Sequence, residues 1–292
     1  MNTLTWSGLV PRVNSGTPRR APDARWFQIG ILGSLLLAGA LWRDFALLPA
    51  QVALTFAAAL ATQAAALHAL KRPERWRLSG YLSAWVSALG ISLLVRADSL
   101  WVHPLLAALA MASKFALRAG PPGCRSHVIN PANGAAFAAA LLLPGAWLSP
   151  GQWGSQALLA LWVVSAGLFV TGAIARRETA AAFLLTWGAL LALRLAWLGH
   201  EPLLGAQVWL HQVANGATLL FAFFMVTDPM TTPQHRTARI AYAVAVALAA
   251  FAWQFVLFKP HALVVALFAA SWGVPWINRA WPQRRFEWRE GP

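Results

Sequence analysis

The sequence predicts an all-α integral membrane protein of about ten transmembrane helices, and three observations lead there. Apolar residues make up 59% of the 292-residue chain and charged residues only 11%. A water-soluble domain carries about 25% charged residues, so these charges could not clothe a soluble surface. The apolar residues also fall in long runs, where a soluble helix would alternate faces every three or four positions. Finally, the basic residues cluster between alternate runs, as the positive-inside rule requires of a polytopic protein.

In order, the apolar segments cover residues 26–42, 45–70, 79–96, 99–117, 131–148, 156–175, 178–198, 204–226, 238–258 and 261–280. Crossing the hydrocarbon takes about 20 residues, and most segments supply them. The first and fifth are short enough to be tilted or broken. The second begins near Pro49, which puts its start in the interface. Residues 1–25 are polar, carry Pro11, Pro18 and Pro22, and read as a disordered cytoplasmic tail. Residues 26–280 read as a single polytopic membrane domain and 281–292 as a second cytoplasmic tail.

The formal charge of +14 is a topology signal. With the N-terminus inside, the cytoplasmic stretches are 1–25, 71–78, 114–125, 176–177, 227–237 with Arg239, and the tail from Arg279; they hold 19 of the 23 Lys and Arg. Arg43, Arg96, Arg194 and Lys259 are the remainder. Reversing the chain would place the 19 outside, so both termini are expected on the cytoplasmic side of a bacterial-type inner membrane. The lipid bilayer, anionic lipid included, is the partner this implies. A nucleic-acid partner is excluded because no soluble body carries the charge.

Seventeen Trp accompany only two Tyr. Trp26, Trp42, Trp76, Trp101, Trp147, Trp197, Trp253, Trp272, Trp276 and Trp281, with Trp6 and Trp153, sit at segment ends and read as interfacial anchors. None of the nine acidic residues lies mid-segment, which counts against a self-sufficient carboxylate-based antiporter. The single Cys124 precludes an intrachain disulfide and any thiolate metal site. No His pair has metal-ligand spacing, no nucleotide fingerprint is present, and no nucleophile–base set converges. Neither catalytic residues nor a metal site are therefore expected.

Two regions depart from lipid-facing composition. The first runs from Ser113-Lys114-Phe115 and Arg118, through Gly120-Pro121-Pro122-Gly123, to His127-Val128-Ile129-Asn130-Pro131-Ala132-Asn133-Gly134. Asn130 is placed to cap a helix whose first residue is Pro131. Lys114 and Arg118, four apart, are expected on one helical face. With His127, Asn130 and Asn133 they could hold an anion near the helix start. Ordinary positive-inside charge plus a cap would leave the same pattern. The second region runs from His211, Asn215, Gly216, Ala217 and Thr218 to Phe223-Phe224-Met225-Val226-Thr227-Asp228-Pro229 and Thr231-Thr232-Pro233. It reads either as a packing seam with a cap at Asp228 or as unwound backbone lining a cavity at membrane depth.

At these residues, and at Ser149-Pro150-Gly151-Gln152-Trp153-Gly154, the chain resembles the NqrB/RnfD membrane subunits of sodium-pumping NADH–quinone reductase and the Rnf electron-transport complex. From about residue 25 onward it is most similar to a short, stand-alone branch whose members are sometimes named for enediyne-biosynthesis clusters. The resemblance implies two inverted five-helix halves, other membrane subunits of an Rnf/Nqr-like complex as partners, and flavin. Flavinylated relatives carry FMN on a Thr in a pattern like D-x-x-S-G-A-T. Here Gly216-Ala217-Thr218 follows Asn215 and Gln212, and directly precedes the Phe-Phe-Met block instead of lying in an earlier loop. Thr218 is therefore not read as an FMN acceptor. Noncovalent flavin, FMN or riboflavin, remains compatible with the many Trp and Phe. The expected function is an RnfD/NqrB-like membrane subunit in transmembrane transport, without independent catalysis. The alternative is a stand-alone transporter or channel for a small solute or natural product. Lys114, Arg118, His127, Asn130, Asn133, His211, Asn215 and Asp228 are the candidates for its ligand or ion pathway.

Overall fold

A computed structural model describes residues 23–42, 47–120, 125–149 and 156–288. Cys124, Trp6, Trp153, and residues 121–123 and 150–154 of the quoted motifs lie outside them. Every apolar segment contains helix: α1 (Ala24–Trp42), α2 (Pro49–Ala69), α3 (Leu82–Leu94), α4 (Val102–Ala116), α5 (Pro131–Leu141), α6 (Ala157–Ala173), α7 (Arg177–Trp197), α8 (Pro202–Val213), α9 (Gly216–Leu220), α10 (Arg236–Phe255), α11 (Ala262–Ser271) and α12 (Val274–Ala280). Of these, α1, α2, α7 and α10 are each long and apolar enough to cross a membrane. The pairs α8 with α9 and its following turn, bent by 44°, and α11 with α12, bent by 49°, supply up to two more spans. The chain is thus an all-α, multi-pass membrane protein.

The breaks have local causes. In the fifth segment the helix ends at Leu141. Pro144 then disfavours helical backbone at Leu143, and Gly145 takes a φ of 72°. The chain continues as β4 (Ala146–Leu148), antiparallel to β1 (Val95–Ala97) at the end of α3, with Arg96 opposite Trp147. Ser149 extends this pairing through its N–H to Leu94 O (3.0 Å) and its hydroxyl to Leu93 O (2.7 Å). Backbone that leaves the helix is thereby satisfied within protein, as lipid surroundings demand. The eighth segment breaks at Ala214, and Asn215 recaps α9 by accepting from Ala217 N at 2.8 Å. In the tenth, Pro275 cannot donate to the preceding turn. A second strand pair, β2 (Arg118–Ala119) with β3 (Ser126–His127), closes the loop after α4.

Packing divides among three apolar clusters. Phe183, Trp187 and Leu191 of α7 meet Tyr242 and Val246 of α10 and Phe221. Leu32 and Leu35 of α1 meet Leu89 and Leu93 of α3, Val163 and Val170 of α6, and Phe223. Ala-rich faces of α2, α3, α4 and α5 form the third around Leu106 and Met111. Outward faces stay apolar: Leu185, Leu193 and Trp197 are exposed on α7 alone, as expected where lipid replaces water. Trp26, Trp76, Trp101, Trp147, Trp272, Trp276 and Trp281 are exposed near segment ends, which is compatible with the placement of interfacial anchors.

Helix α6 ends in a Schellman-like turn, with Arg176 N bonded to Thr171 O at 2.8 Å and Ala175 N to Gly172 O at 3.2 Å. Ala175 occupies the left-handed position with φ 52°, where glycine is favoured. Ala175→Gly is expected to stabilise the protein by about 0.5–1 kcal/mol, read as a raised midpoint in detergent unfolding. An unchanged or lowered midpoint would show that the left-handed backbone carries no penalty here.

Candidate functional site

A cavity of about 580 Å³ opens among α1, α3, the end of α4, the start of α5, the end of α6 and the turn after α9. That turn, Phe221–Met225, is a single π turn, with Val226 N reaching Phe221 O at 3.0 Å. One extra residue there shifts the helix face presented to the cavity, a common device at functional sites. Phe223 and Phe224 consequently line the cavity together with Thr227 and Asp228. Thr227 returns its hydroxyl to Phe223 O at 2.6 Å, which gives that carbonyl a partner.

The two sequence regions singled out above meet here. Asn130 Oδ1 accepts from Asn133 N at 3.1 Å and caps α5. That bond orients the amide, so Asn130 Nδ2 points away and donates to Asp228 Oδ2 at 2.8 Å, across 98 residues of chain. Asp228 also accepts from Met230 N (3.0 Å, Oδ1) and Thr231 Oγ1 (3.0 Å, Oδ2). A capped half-helix and the Thr-Asp-Pro turn are thereby locked into one wall.

A second wall is α3, whose Ser83, Ser87, Gly90 and Leu94 line the cavity at steps of three or four residues. From Ser83 to Leu94 is about 16 Å of helix. At its basic end lies Lys114, which donates to Ser83 Oγ and, at 3.4 Å, to Gln63 Oε1. Gln63 in turn donates to Gly80 O at 2.6 Å. The mouth is ringed by Arg25, Arg72, Arg118 and Arg285. Arg118 Nη2 and Arg285 Nη1 both donate to Arg125 O, at 2.6 and 2.9 Å. Burial, and then the neighbouring Arg72, Arg285 and Arg125, push the Arg118 guanidinium below its ordinary pKa.

Of the predicted residues, Lys114, Arg118, His127, Asn130 and Asp228 line this one cavity. The expectation that Lys114 and Arg118 share a helical face is corrected. Helix α4 stops at Ala116 and Arg118 lies in β2, because the chain turns there to pair with Ser126–His127. The two cations meet through that turn instead. Asn133 lies one turn deeper, buried, donating to Val264 O at 3.3 Å. His211 and Asn215 are elsewhere: His211 is exposed on α8, and Asn215 is the cap of α9. Thr218 is buried within α9.

Sequence reading missed Arg25, Gln63, Ser83 and the C-terminal Arg285–Trp288 stretch. Gln63 was detectable as a lone amide inside an apolar run, and the Ser79, Ser83 and Ser87 spacing as a polar stripe. Nothing local marks the tail as a cavity wall. Contacts from distant elements hold it: Phe286 N donates to Gln234 Oε1 at 3.0 Å, and Arg25 lies over the Trp288 ring at 5.1 Å. Gln234 also takes Arg176 Nη2 at 3.1 Å, and donates to Pro229 O and Thr232 O. Arg239 binds Gln234 O and pairs with Glu178 at 2.5 Å. This network fastens the tail to the Thr-Asp-Pro turn.

His127 is buried against the cavity wall, and desolvation is the main cause that draws its pKa from 6.5 to about 4; Asp228 opposes this and Lys114, Arg285 and Arg118 add to it. Between those two values the unfolded chain binds the proton more readily than the folded one. Stability contributed by the neutral imidazole is therefore complete above about pH 6.5 and is lost as pH falls toward 4. His127→Gln is expected to flatten the acid side of a midpoint-against-pH curve. Parallel curves for variant and parent would refute this.

A polytopic helical protein with an amphipathic cavity at its basic face is the class that fold and site define. Residues 131–287 match the NQR2, RnfD, RnfE family. The match covers more than half of the 292-residue chain, and the chain belongs to that family. It contains the Thr-Asp-Pro turn and the α5 helix; Lys114, Arg118, His127 and Asn130 precede it. A search of curated proteins gives no match.

Proposed function

We propose that the chain is an RnfD/NqrB-type membrane subunit in transmembrane transport, of the kind that couples electron transfer to ion movement. The cavity is the cytoplasmic mouth of its pathway. The observation that carries this is the Asn130–Asp228 bond, which joins α5 to the turn after α9 along the cavity wall. A cavity bounded by two half-helices and by elements of both chain halves is the arrangement expected of inverted-repeat transporters.

On this reading α3, α4, α5 and α6 complete ten crossings in two inverted five-helix halves. Both termini are cytoplasmic, in a bacterial-type inner membrane, and other membrane subunits dock on the chain. Flavin, if carried, is FMN or riboflavin held without a covalent bond; Phe223 and Phe224 offer aromatic surface for it. On this reading Thr218 is not the attachment point, and its burial within α9 supports that.

Sodium uptake into proteoliposomes under an imposed gradient tests the transport reading. Asn130→Ala and Asp228→Ala should reduce uptake at least about tenfold, a loss of roughly 1.4 kcal/mol or more, and Lys259→Ala should not. Absence of uptake by the parent, or equal effects of all three changes, would overturn it. Colourless purified protein would remove the flavin, and flavin that stays with the denatured band would reinstate a covalent link.

A further inference from the structure

The cavity has two chemically different ends. At the mouth five cationic side chains face three carboxylates, those of Glu74, Asp228 and Glu287. Arg25 is already paired with Asp23 at 2.6 Å, and Asp228 is engaged by Asn130, Met230 and Thr231. Among the described residues Lys114, Arg118 and Arg285 make no ion pair; their hydrogen bonds go to neutral oxygens of Ser83, Gln63 and Arg125, and Lys114 also lies 5.5 Å from the Phe115 ring centroid. Two guanidiniums converge on the single Arg125 carbonyl. Cations gathered this closely repel one another, and an anion between them removes the repulsion and takes charge-assisted hydrogen bonds.

Beyond this head region the lining turns apolar. Leu32, Val86, Leu93, Val170, Leu220 and Phe223 surround the inner end, with Ser87 and Gly90 as the small residues of its α3 wall. The volume falls within the roughly 300–1,000 Å³ of pockets that enclose a small organic ligand. A free inorganic anion would leave that apolar end unfilled, and a neutral apolar molecule would leave the cations unmatched.

We propose that the cavity binds an amphiphilic anion, with a phosphate or carboxylate head between Lys114, Arg118 and Arg285 and an apolar body along α3 toward Leu94. This deepens the transport reading by naming the ligand class of the same cavity. The shared chemistry comes from either a soluble single-chain amphiphile or an anionic bilayer lipid. The C-terminal stretch, with Phe286 and Trp288 at the mouth, lies over the head once it is seated.

The test uses the full chain in nanodiscs of zwitterionic lipid, with empty nanodiscs as the partition control. Binding of a series of n-alkyl phosphates is measured by calorimetry. Affinity is expected to rise about fourfold per added CH₂ and to level off once the apolar end is full. Lys114→Gln and, as an independently folding check, Arg118→Gln should each weaken alkyl phosphate about 10- to 100-fold. Neither should change binding of the matching alkyl alcohol. Ser87→Phe, which shortens the apolar end, should move the levelling-off to shorter chains without weakening the short ones.

Inorganic phosphate displacing the probe at equal affinity would overturn the proposal, as would alcohol binding as tightly as phosphate. Chain-length dependence identical to that of empty nanodiscs would do the same. Displacement by phosphatidic acid added to the nanodisc assigns the lipid source, and its failure to displace assigns the soluble one. Sodium uptake without amphiphile binding removes this proposal and leaves the transport reading intact. Binding without uptake does the reverse.

Discussion

Asp228→Ala is expected to lower stability by about 3 kcal/mol and to detach α5 from the turn after α9. The carboxylate is the common acceptor for Asn130 Nδ2, Met230 N and Thr231 Oγ1. Removing it strands three donors in a partly buried wall, and hydrogen bonds to a charged acceptor contribute about 1.5–3 kcal/mol each. Partial exposure of Asp228 lets water recover some of that, so the sum stays well below three full bonds. Asp228→Asn separates the parts. Its amide oxygen still accepts from Met230 N, and the Thr231 hydroxyl rotates to accept instead of donate. Asn130 cannot rotate, because its own oxygen caps α5, so two amide NH₂ groups then face each other. The expected loss is about 1–2 kcal/mol, with α5 specifically loosened. A double-mutant cycle of Asn130→Ala with Asp228→Ala should show coupling of about 1.5 kcal/mol. Additive losses would mean that the two residues act only as separate caps.

Gly167→Ala is the second large effect. A Cβ added at Gly167 would overlap the Cβ, Cγ and Cδ1 atoms of Phe223. These are the root of the side chain, so rotation about its outer bonds cannot relieve the contact. Replacing a mid-helix glycine by alanine gains about 1 kcal/mol of helix propensity, whereas overpacking costs about 1–3 kcal/mol and sometimes more. Overlap with the ring root at a buried site puts this change at the upper end, so the net expectation is destabilisation by about 2 kcal/mol. Phe223 lines the cavity, and it can yield only by moving toward that space or by unwinding the π turn. Gly167→Ala should therefore also reduce the space available to a bound body. Phe223→Leu keeps the Cβ and Cγ that make the two closest contacts, so it should restore little of the stability in the double variant. A neutral or stabilising Gly167→Ala would show that α6 and the π turn are not in tight contact.

Membrane character, segment positions and several helix starts were legible because they depend on chemistry local in the chain. An apolar run long enough for the hydrocarbon declares itself without knowledge of its neighbours. Asn130 before Pro131 is a cap that forms as read, whereas the cap at Asn215 was not anticipated. The Asn-Pro and Thr-Asp-Pro turns also stood out because polar residues are conspicuous in such a sequence.

Other features depended on where the chain returns. The fifth segment stops being helix at Leu141, and its remainder pairs with Val95–Ala97 from the third. Only that pairing satisfies the freed backbone in an apolar medium. Arg118 left the face of Lys114 for the same reason, when the chain turned to meet His127. His211 resembled the other candidates in sequence but lies on the exposed surface of α8. Arg25 and Arg285, unremarkable in polar tails, became parts of a cavity wall through contacts with Trp288 and Arg125.

By itself, then, the sequence determined the solvent this protein folds in, its helical segments and the sign of the charge on one face, since each follows from composition along the chain. Tertiary structure alone decided that five of the eight predicted residues share one cavity. It also decided that Asn130 and Asp228, 98 residues apart, form its wall. The physical reason is that convergence is set by how helices of unequal length and broken backbone pack, a nonlocal balance that no single stretch of residues records.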